Sequence, residues 1–314
     1  MLFTFHTGCD TTNEEAEREP NRNIVGLVSD GIYNTVTEVF ELSVLDANGW
    51  GEGSISAVIT GELDNSAGQI TLSLAEEPDL LLEYNRSMFG TEVYRYAQSI
   101  PQDRYVIENT VLAFQQGQRD GQFKIRVQVL GLSPDVSYFI PLRIDKTSAN
   151  ELDLRKNTVL YEIQWKNEWA TTQSIPKYNH TGNKTLLPGS ISWESSSLQK
   201  EVFPLSADAV RIVAGDRELV DAEDVRLRDI YEKWAITLSV SSAGDVTISP
   251  WSDSPLGMNL EQLDDDDPEY PNEYREEFNE ITGRTSKVFR LNYKYYDPDE
   301  QSFFWMKEEL RIEE

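Results

Sequence analysis

Four apolar residues, Phe123, Ile125, Val127 and Val129, stand at every second position, separated by Lys124, Arg126 and Gln128. A strand turns successive side chains to opposite faces, so this alternation buries one face and wets the other. Ile70, Leu72 and Leu74 alternate in the same way with Thr71 and Ser73, and Ile55, Ala57 and Ile59 do so further upstream. From Ile70 to Ile144 the order is strand, short helix, aromatic-rich loop and three more strands. Pro78 closes the first strand, and Asp79 is placed as the N-cap of a helix running from Leu80 to Asn85. The loop carries Tyr94, Tyr96 and Tyr105, and Val111 to Phe114 opens a strand that Gln116-Gly117 breaks. Tyr138 to Ile144 is the last strand, and Pro141 inside it predicts an edge position or a bulge.

Asn34 to Leu45 and Val159 to Trp165 add two strands to this half. Strands at such spacing, with turns between them, predict an all-β, immunoglobulin-like sandwich with one short helical excursion. Beyond a polar hinge at Lys166 to Trp169, the stretch from Pro176 to Gly189 is rich in turn residues. Strands follow at Leu198 to Leu205, Ala209 to Val213 and Trp234 to Val240, and Gly244-Asp245 turns the chain into Val246 to Ile248. Phe289, Leu291, Tyr293 and Tyr295 alternate with polar residues, and Asp297 to Glu300 turns the chain back into a last strand. Helical turns are placed at Asp221 to Arg228 and near Asn272 to Phe278. The expected division is a leader and acidic tether at 1–22, a β-sandwich at 23–167, and a second antiparallel barrel or sandwich at 168–314.

Charge and rare residues narrow the chemistry. The balance of 55 acidic against 28 basic residues, net −27, repels phosphate backbones and anionic membranes, so no nucleic-acid partner is expected. One cysteine, Cys9, permits no internal disulfide framework or thiolate metal cluster. The histidines are His6 and His180, so a nucleophilic site would rest on His180 alone, and a zinc site built on several histidines is excluded. No metal and no cofactor is expected. No run is long enough to span a bilayer.

Thr7-Gly8-Cys9 resembles the lipobox of bacterial lipoproteins, although a positive n-region is lacking and His6 stands where an aliphatic residue is usual. The acidic residues after Cys9 resemble the tether of surface lipoproteins in Bacteroidetes. A second resemblance lies in Leu82-Glu83-Tyr84-Asn85, Gly90-Thr91, Ile100-Pro101 and Tyr105, continued by Gly117, by Tyr138, Pro141, Leu142 and Ile144, and by Leu160 to Ile163. These resemble the signature of a Bacteroidetes lipoprotein domain of formerly unknown function, over about half the chain from near Val36 to Trp165. Asn179-His180-Thr181-Gly182 and the Phe-x-Leu-Asn-Tyr-x-Tyr run at Phe289 resemble its usual C-terminal partner domain. The resemblance implies a surface lipoprotein of the starch-utilisation type, anchored to the outer membrane by lipid on Cys9 and partnered with an importer complex. It implies no catalytic residues.

Glu261 to Glu280 holds ten acidic residues and one cation, Arg275, chemistry that hard calcium ions accept. The spacing fits no EF-hand, and a solvated acidic loop is the simpler reading. Acids are too abundant for any carboxylate pair to single out a glycoside hydrolase. Aromatic rings with wet edges suit sugar faces better. Trp165 and Trp234 lie in strand patterns and read as core, whereas Trp50, Trp169, Trp193 and Trp251 sit at turns. Trp251, Trp193, Trp169, Tyr270 and Tyr274 are the candidate ligand-binding residues, with Trp251 leading because it shares a long loop with both tyrosines. The expected function is non-catalytic capture of a glycan at the cell surface. The alternative is an adhesion or structural lipoprotein that binds protein.

Overall fold

The computed structural model describes residues 23–313 apart from 62–68, 190, 218–230, 232, 253–257 and 264–266. Cys9 with its tether, the turn expected at Asp221 to Arg228 and the centre of the acidic loop lie outside the described residues.

The first half supplies β1 (Ile24–Leu27), β2 (Thr35–Glu41), β3 (Trp50–Thr60), β4 (Ile70–Glu76), helix α1 (Pro78–Phe89), β5 (Gln98–Ser99) and β6 (Tyr105–Ile107). It continues with β7 (Val111–Phe114), β8 (Asp120–Gln128), β9 (Tyr138–Thr147), β10 (Glu151–Leu152) and β11 (Thr158–Lys166). One sheet runs β10-β1-β3-β8-β6, and the facing sheet runs β2-β11-β9-β4-β7 with β5 alongside β9. The alternating residues meet between them: Ile55, Phe123, Ile125 and Val127 from one sheet pack against Leu72, Ile140, Leu142 and Tyr161 from the other. Helix α1 covers the outer face of the second sheet through Leu81, against Phe139 and Leu160.

Two local expectations are corrected. Helix α1 starts one residue before Asp79, with Glu77 as N-cap and Pro78 in its first turn, so Asp79 favours the helix as a first-turn acid. Pro141 sits in an internal strand, paired with Leu160 of β11. Strand β4 ends opposite Leu142, and Glu77 donates its N–H to the Pro141 carbonyl at 2.9 Å as the chain turns into the helix. A residue's N–H and C=O point to the same side of a strand, so the missing proline donor falls where no strand partner asks for it.

The second half supplies β12 (Lys177–Leu186), β13 (Ile191–Glu201), β14 (Phe203–Ser206), β15 (Ala209–Val213), β16 (Ala235–Val240), β17 (Val246–Pro250), β18 (Leu260–Gln262), β19 (Glu273–Asn279), β20 (Arg284–Asp297) and β21 (Ser302–Glu313). A sheet ordered β13-β12-β21-β20-β18, with β19 also on β20, faces the sheet β14-β15-β16-β17. The fold is all-β, two sandwiches in succession, with α1 the α-helix described along its whole length. The turn-rich stretch after Pro176 is strand β12, and the helical turn expected near Asn272 is strand β19, which pairs Tyr274 with Phe289.

Between the C-terminal sheets lies a buried polar cluster. Glu308 is wholly buried, 2.8 Å from His180 Nε2, ion-paired with Lys200, and accepts the Tyr293 hydroxyl at 2.8 Å. The Gly215 N–H donates to that hydroxyl in turn. Gly182 makes room for the cluster, because a Cβ there would strike the backbone at Lys307 and Glu308. Burial alone would raise the Glu308 pKa, but the Lys200 charge and the His180 contact outweigh it and bring it to about 2. Burial holds the Lys200 ammonium below its ordinary range even beside this carboxylate.

The two sandwiches are tied rather than loosely hinged. Trp165 Nε1 donates to Pro204 O at 3.1 Å, and the Asn167 amide bridges to Ser206 O and Ala209 O. Arg211, with no exposed surface, donates from Nη1 to Asp135 across the junction at 2.8 Å. The rings of Tyr231, Phe203 and Trp251 surround its guanidinium at 3.9, 4.6 and 4.6 Å. Its Nε and Nη2 find no hydrogen-bond acceptor, and the three ring faces take that place.

Two outcomes follow from these contacts. Glu308→Gln should cost about 3–5 kcal/mol in denaturant unfolding, since it leaves the Lys200 charge buried without its partner. A depressed carboxylate pKa stabilises the fold above its unfolded value of 4.5, so wild-type stability should fall as pH drops from there toward 2. The variant should show a flatter profile in that window. Trp251→Ala opens the ring cage and should cost about 2–3 kcal/mol, read as a lowered thermal midpoint.

Candidate functional site

The five residues singled out by sequence do not converge. Trp169 is buried, its ring 5.4 Å from Tyr274 and 6.2 Å from Phe289, so it and Tyr274 belong to the core margin. Tyr274 also stands on β19 rather than in a loop with Trp251, and its hydroxyl donates to Glu168 at 3.1 Å. Trp251 is half-buried against Arg211. Tyr270 lines a notch on the outer face of the C-terminal sheet with Pro268, Glu269, Arg290 and Glu309. Burial and the carboxylates of Glu269, Glu309 and Asp267 push its phenol up, so the hydroxyl remains a donor. Trp193, on edge strand β13, is 44% exposed and 6.4 Å from Phe304.

A cleft between the sandwiches contains none of the five. Its volume is about 230 Å³. The N-terminal sandwich contributes the loop from Pro134 to Ser137 and Glu162, Ile163 and Gln164 of β11. From beyond the junction come Thr172, Ile175, Glu201, Phe203 and Tyr231. The floor is apolar and buried: Ile163, Phe203 and Tyr231 are 2–3% exposed. The walls are half-buried and polar.

Local bonds fix those walls. Glu162 accepts the Thr37 hydroxyl at 2.7 Å on one oxygen and the Gln164 amide N–H at 2.9 Å on the other. Asp135 accepts the Ser133 hydroxyl at 2.6 Å as well as Arg211. Thr172 Oγ1 accepts the Trp165 N–H at 2.9 Å, which ties the segment after β11 to the strand itself. Arg211 is therefore behind the site: it touches Asp135, Phe203 and Tyr231, which line the cleft, without lining it. In the sequence these wall residues are ordinary polar positions of a strand or turn.

His180, the one histidine left for nucleophilic chemistry, is spent in the sealed cluster with Glu308. Among the described residues no group of three or more His, Cys, Asp or Glu side chains is placed to hold a metal ion. No described helix is long and apolar enough to cross a membrane.

Comparison with known proteins bears on this architecture. A search of curated proteins finds no match. Among solved structures, a Bacteroides ovatus protein of unknown function superposes with TM-score 0.65 at 13% identity, covering 92% of this chain and 94% of its own. A multidomain Bacteroides ovatus protein that includes DUF1735 has TM-score 0.65 at 12% identity, with the same coverage. An auxiliary nutrient binding protein from Bacteroides thetaiotaomicron has TM-score 0.58 at 17% identity, covering 89% of this chain and 90% of its own. At these identities the likeness shows a shared fold across both sandwiches. Two family models match in sequence order, one for an N-terminal domain over residues 22–151 and one for a C-terminal domain over residues 157–311. The second model takes in β11, the strand that completes the N-terminal sheet and walls the cleft. Together the two models match nearly the whole length of the chain, an N-terminal domain followed by a C-terminal one.

Proposed function

We propose that the protein binds a polysaccharide or oligosaccharide without catalysis, at the outer-membrane surface beside an importer, held there by lipid on Cys9. The observation that carries the binding role is the cleft between the sandwiches, with its apolar floor and carboxylate, amide and hydroxyl walls. Junctions between domains are common ligand sites, and carboxylates and amides pair well with sugar hydroxyls. The nutrient-binding description of the Bacteroides thetaiotaomicron structure is consistent with this role as an analogy of fold. The absence of catalysis is supported by the placement of His180 and Glu308, both closed to solvent and locked to each other.

One observation favours the adhesion reading. Strand β13 is a sheet edge that exposes Ile191 and Trp193, 49% and 44% respectively. An apolar edge can accept a strand from a partner protein.

Calorimetry of the full chain against a panel of soluble polysaccharides separates the two. Glycan binding in the micromolar to millimolar range, on the order of −8 to −4 kcal/mol, is expected. Gln164→Ala should weaken it about tenfold or more, and Trp193→Ala should leave it unchanged if the cleft is the site. No glycan binding, with capture of a partner that Trp193→Ala abolishes, would replace this reading with adhesion. Cleavage of any panel member would end the non-catalytic reading.

A further inference from the structure

Among the described residues, the charged groups that line the cleft are all acids, beside the neutral hydroxyls of Ser137, Thr172 and Tyr231 and the Gln164 amide. Asp135, Glu162 and Glu201 present carboxylates, which accept and do not donate when ionised. The Gln164 amide is oriented by its N–H bond to Glu162 Oε1 at 2.9 Å, which leaves Oε1 as its free acceptor. That oxygen is buried and has no hydrogen-bond partner. A buried acceptor without a donor is costly, and it adds to the surplus of acceptors at this wall.

Among the described residues, the cations near the site do not reverse this. Arg211 sits behind the wall with no exposed surface, its Nη1 on Asp135 and its remaining faces against rings. Lys177 stands at the outer end of Glu201, 3.7 Å from its carboxylate, and does not line the cleft. A ligand carboxylate entering here would meet acceptors at half-buried positions, where repulsion is screened less than on an open surface. The net charge of −27 adds to that repulsion at longer range.

On the reading that the cleft holds a glycan, we propose that its ligand is an uncharged or amine-bearing saccharide rich in donors, and that uronate and sulfated saccharides are excluded. Each hydroxyl supplies a donor to a wall that offers acceptors, and an ammonium supplies three. A uronate or sulfate ester replaces a donor with acceptors and brings the wrong sign of charge.

The test uses the full chain with galactomannan, xyloglucan, mixed-linkage β-glucan, starch, chitosan oligosaccharides, polygalacturonate and dextran sulfate. A neutral or amine-bearing member should bind, and C6 oxidation of a bound neutral glycan to its uronate form should weaken binding at least tenfold. Added salt should narrow that gap, because it screens repulsion, whereas a site that attracts anions would lose affinity for them in salt. Glu201→Lys should narrow the gap at low salt, with Glu201→Gln between it and wild type. If the oxidised glycan, polygalacturonate or dextran sulfate binds as tightly as the neutral one, this inference fails while glycan binding stands. Binding that ignores both Gln164→Ala and Glu201→Lys moves the site elsewhere and also defeats it. If no member binds, the glycan reading itself falls and takes the inference with it.

Discussion

The arrangement of the two sandwiches depends on one buried cation. Arg211 reaches from β15 to Asp135 of the N-terminal sandwich and is wrapped by Phe203, Tyr231 and Trp251. An arginine without surface exposure needs both a counter-charge and something to replace water around the rest of the guanidinium. Here the counter-charge belongs to one domain and the rings to the other. Neither half can satisfy the group alone, so the domain angle is specified rather than left to a linker. Both walls of the cleft inherit that precision, since three of the residues that Arg211 touches also line it.

The fold was legible in the sequence wherever one face of a strand is core and the other water. Phe123 to Val127, Ile70 to Leu72 and Phe289 to Tyr295 each alternate, and each buries the expected side. Legibility failed where the buried side is not apolar. Strand β12 turns Tyr178, His180, Gly182 and Lys184 inward, a mixture that reads as turn chemistry until Glu308 is seen opposite. Strand β19 carries four charges in seven residues, yet Arg290 of β20 and Arg311 of β21 neutralise Glu277 across the sheet. Its stability comes from cross-strand pairing, which no local pattern reports.

The candidate site was less legible, for a different reason. Sequence distinguishes an aromatic in a loop from one in a strand, but not a ring over solvent from a ring over an arginine. Trp251 and Trp169 look alike in that respect, and both turn out to pack against protein. Trp305, outside the candidate set, donates its indole N–H to Asn292 at 2.6 Å on the outer face of the C-terminal sheet. The cleft residues carry a weaker signal still. Glu162 and Gln164 occupy the polar positions of β11, which in an isolated sandwich would simply face water. They become a wall only because a second domain lies beside that face, and the contact that brings it there joins residues 76 positions apart.

The placement of acids follows from the same division of labour. Where a carboxylate is structural it is matched: Glu308 has Lys200 and His180, and Asp135 has Arg211. Of the acids that line the cleft, Asp135 has Arg211 and Glu201 has Lys177, whereas Glu162 is held by neutral hydrogen bonds from Thr37 and Gln164 and keeps its charge uncompensated by any ion pair among the described residues. Neutral donors orient a carboxylate without quenching its field, so Glu162 remains a strong acceptor toward whatever enters. A site meant for an anion would have reversed that pattern, with the guanidinium at the wall and the carboxylate behind it. Arg211 and Asp135 stand the other way round, and this order, more than the count of acids, sets the polarity of the cleft.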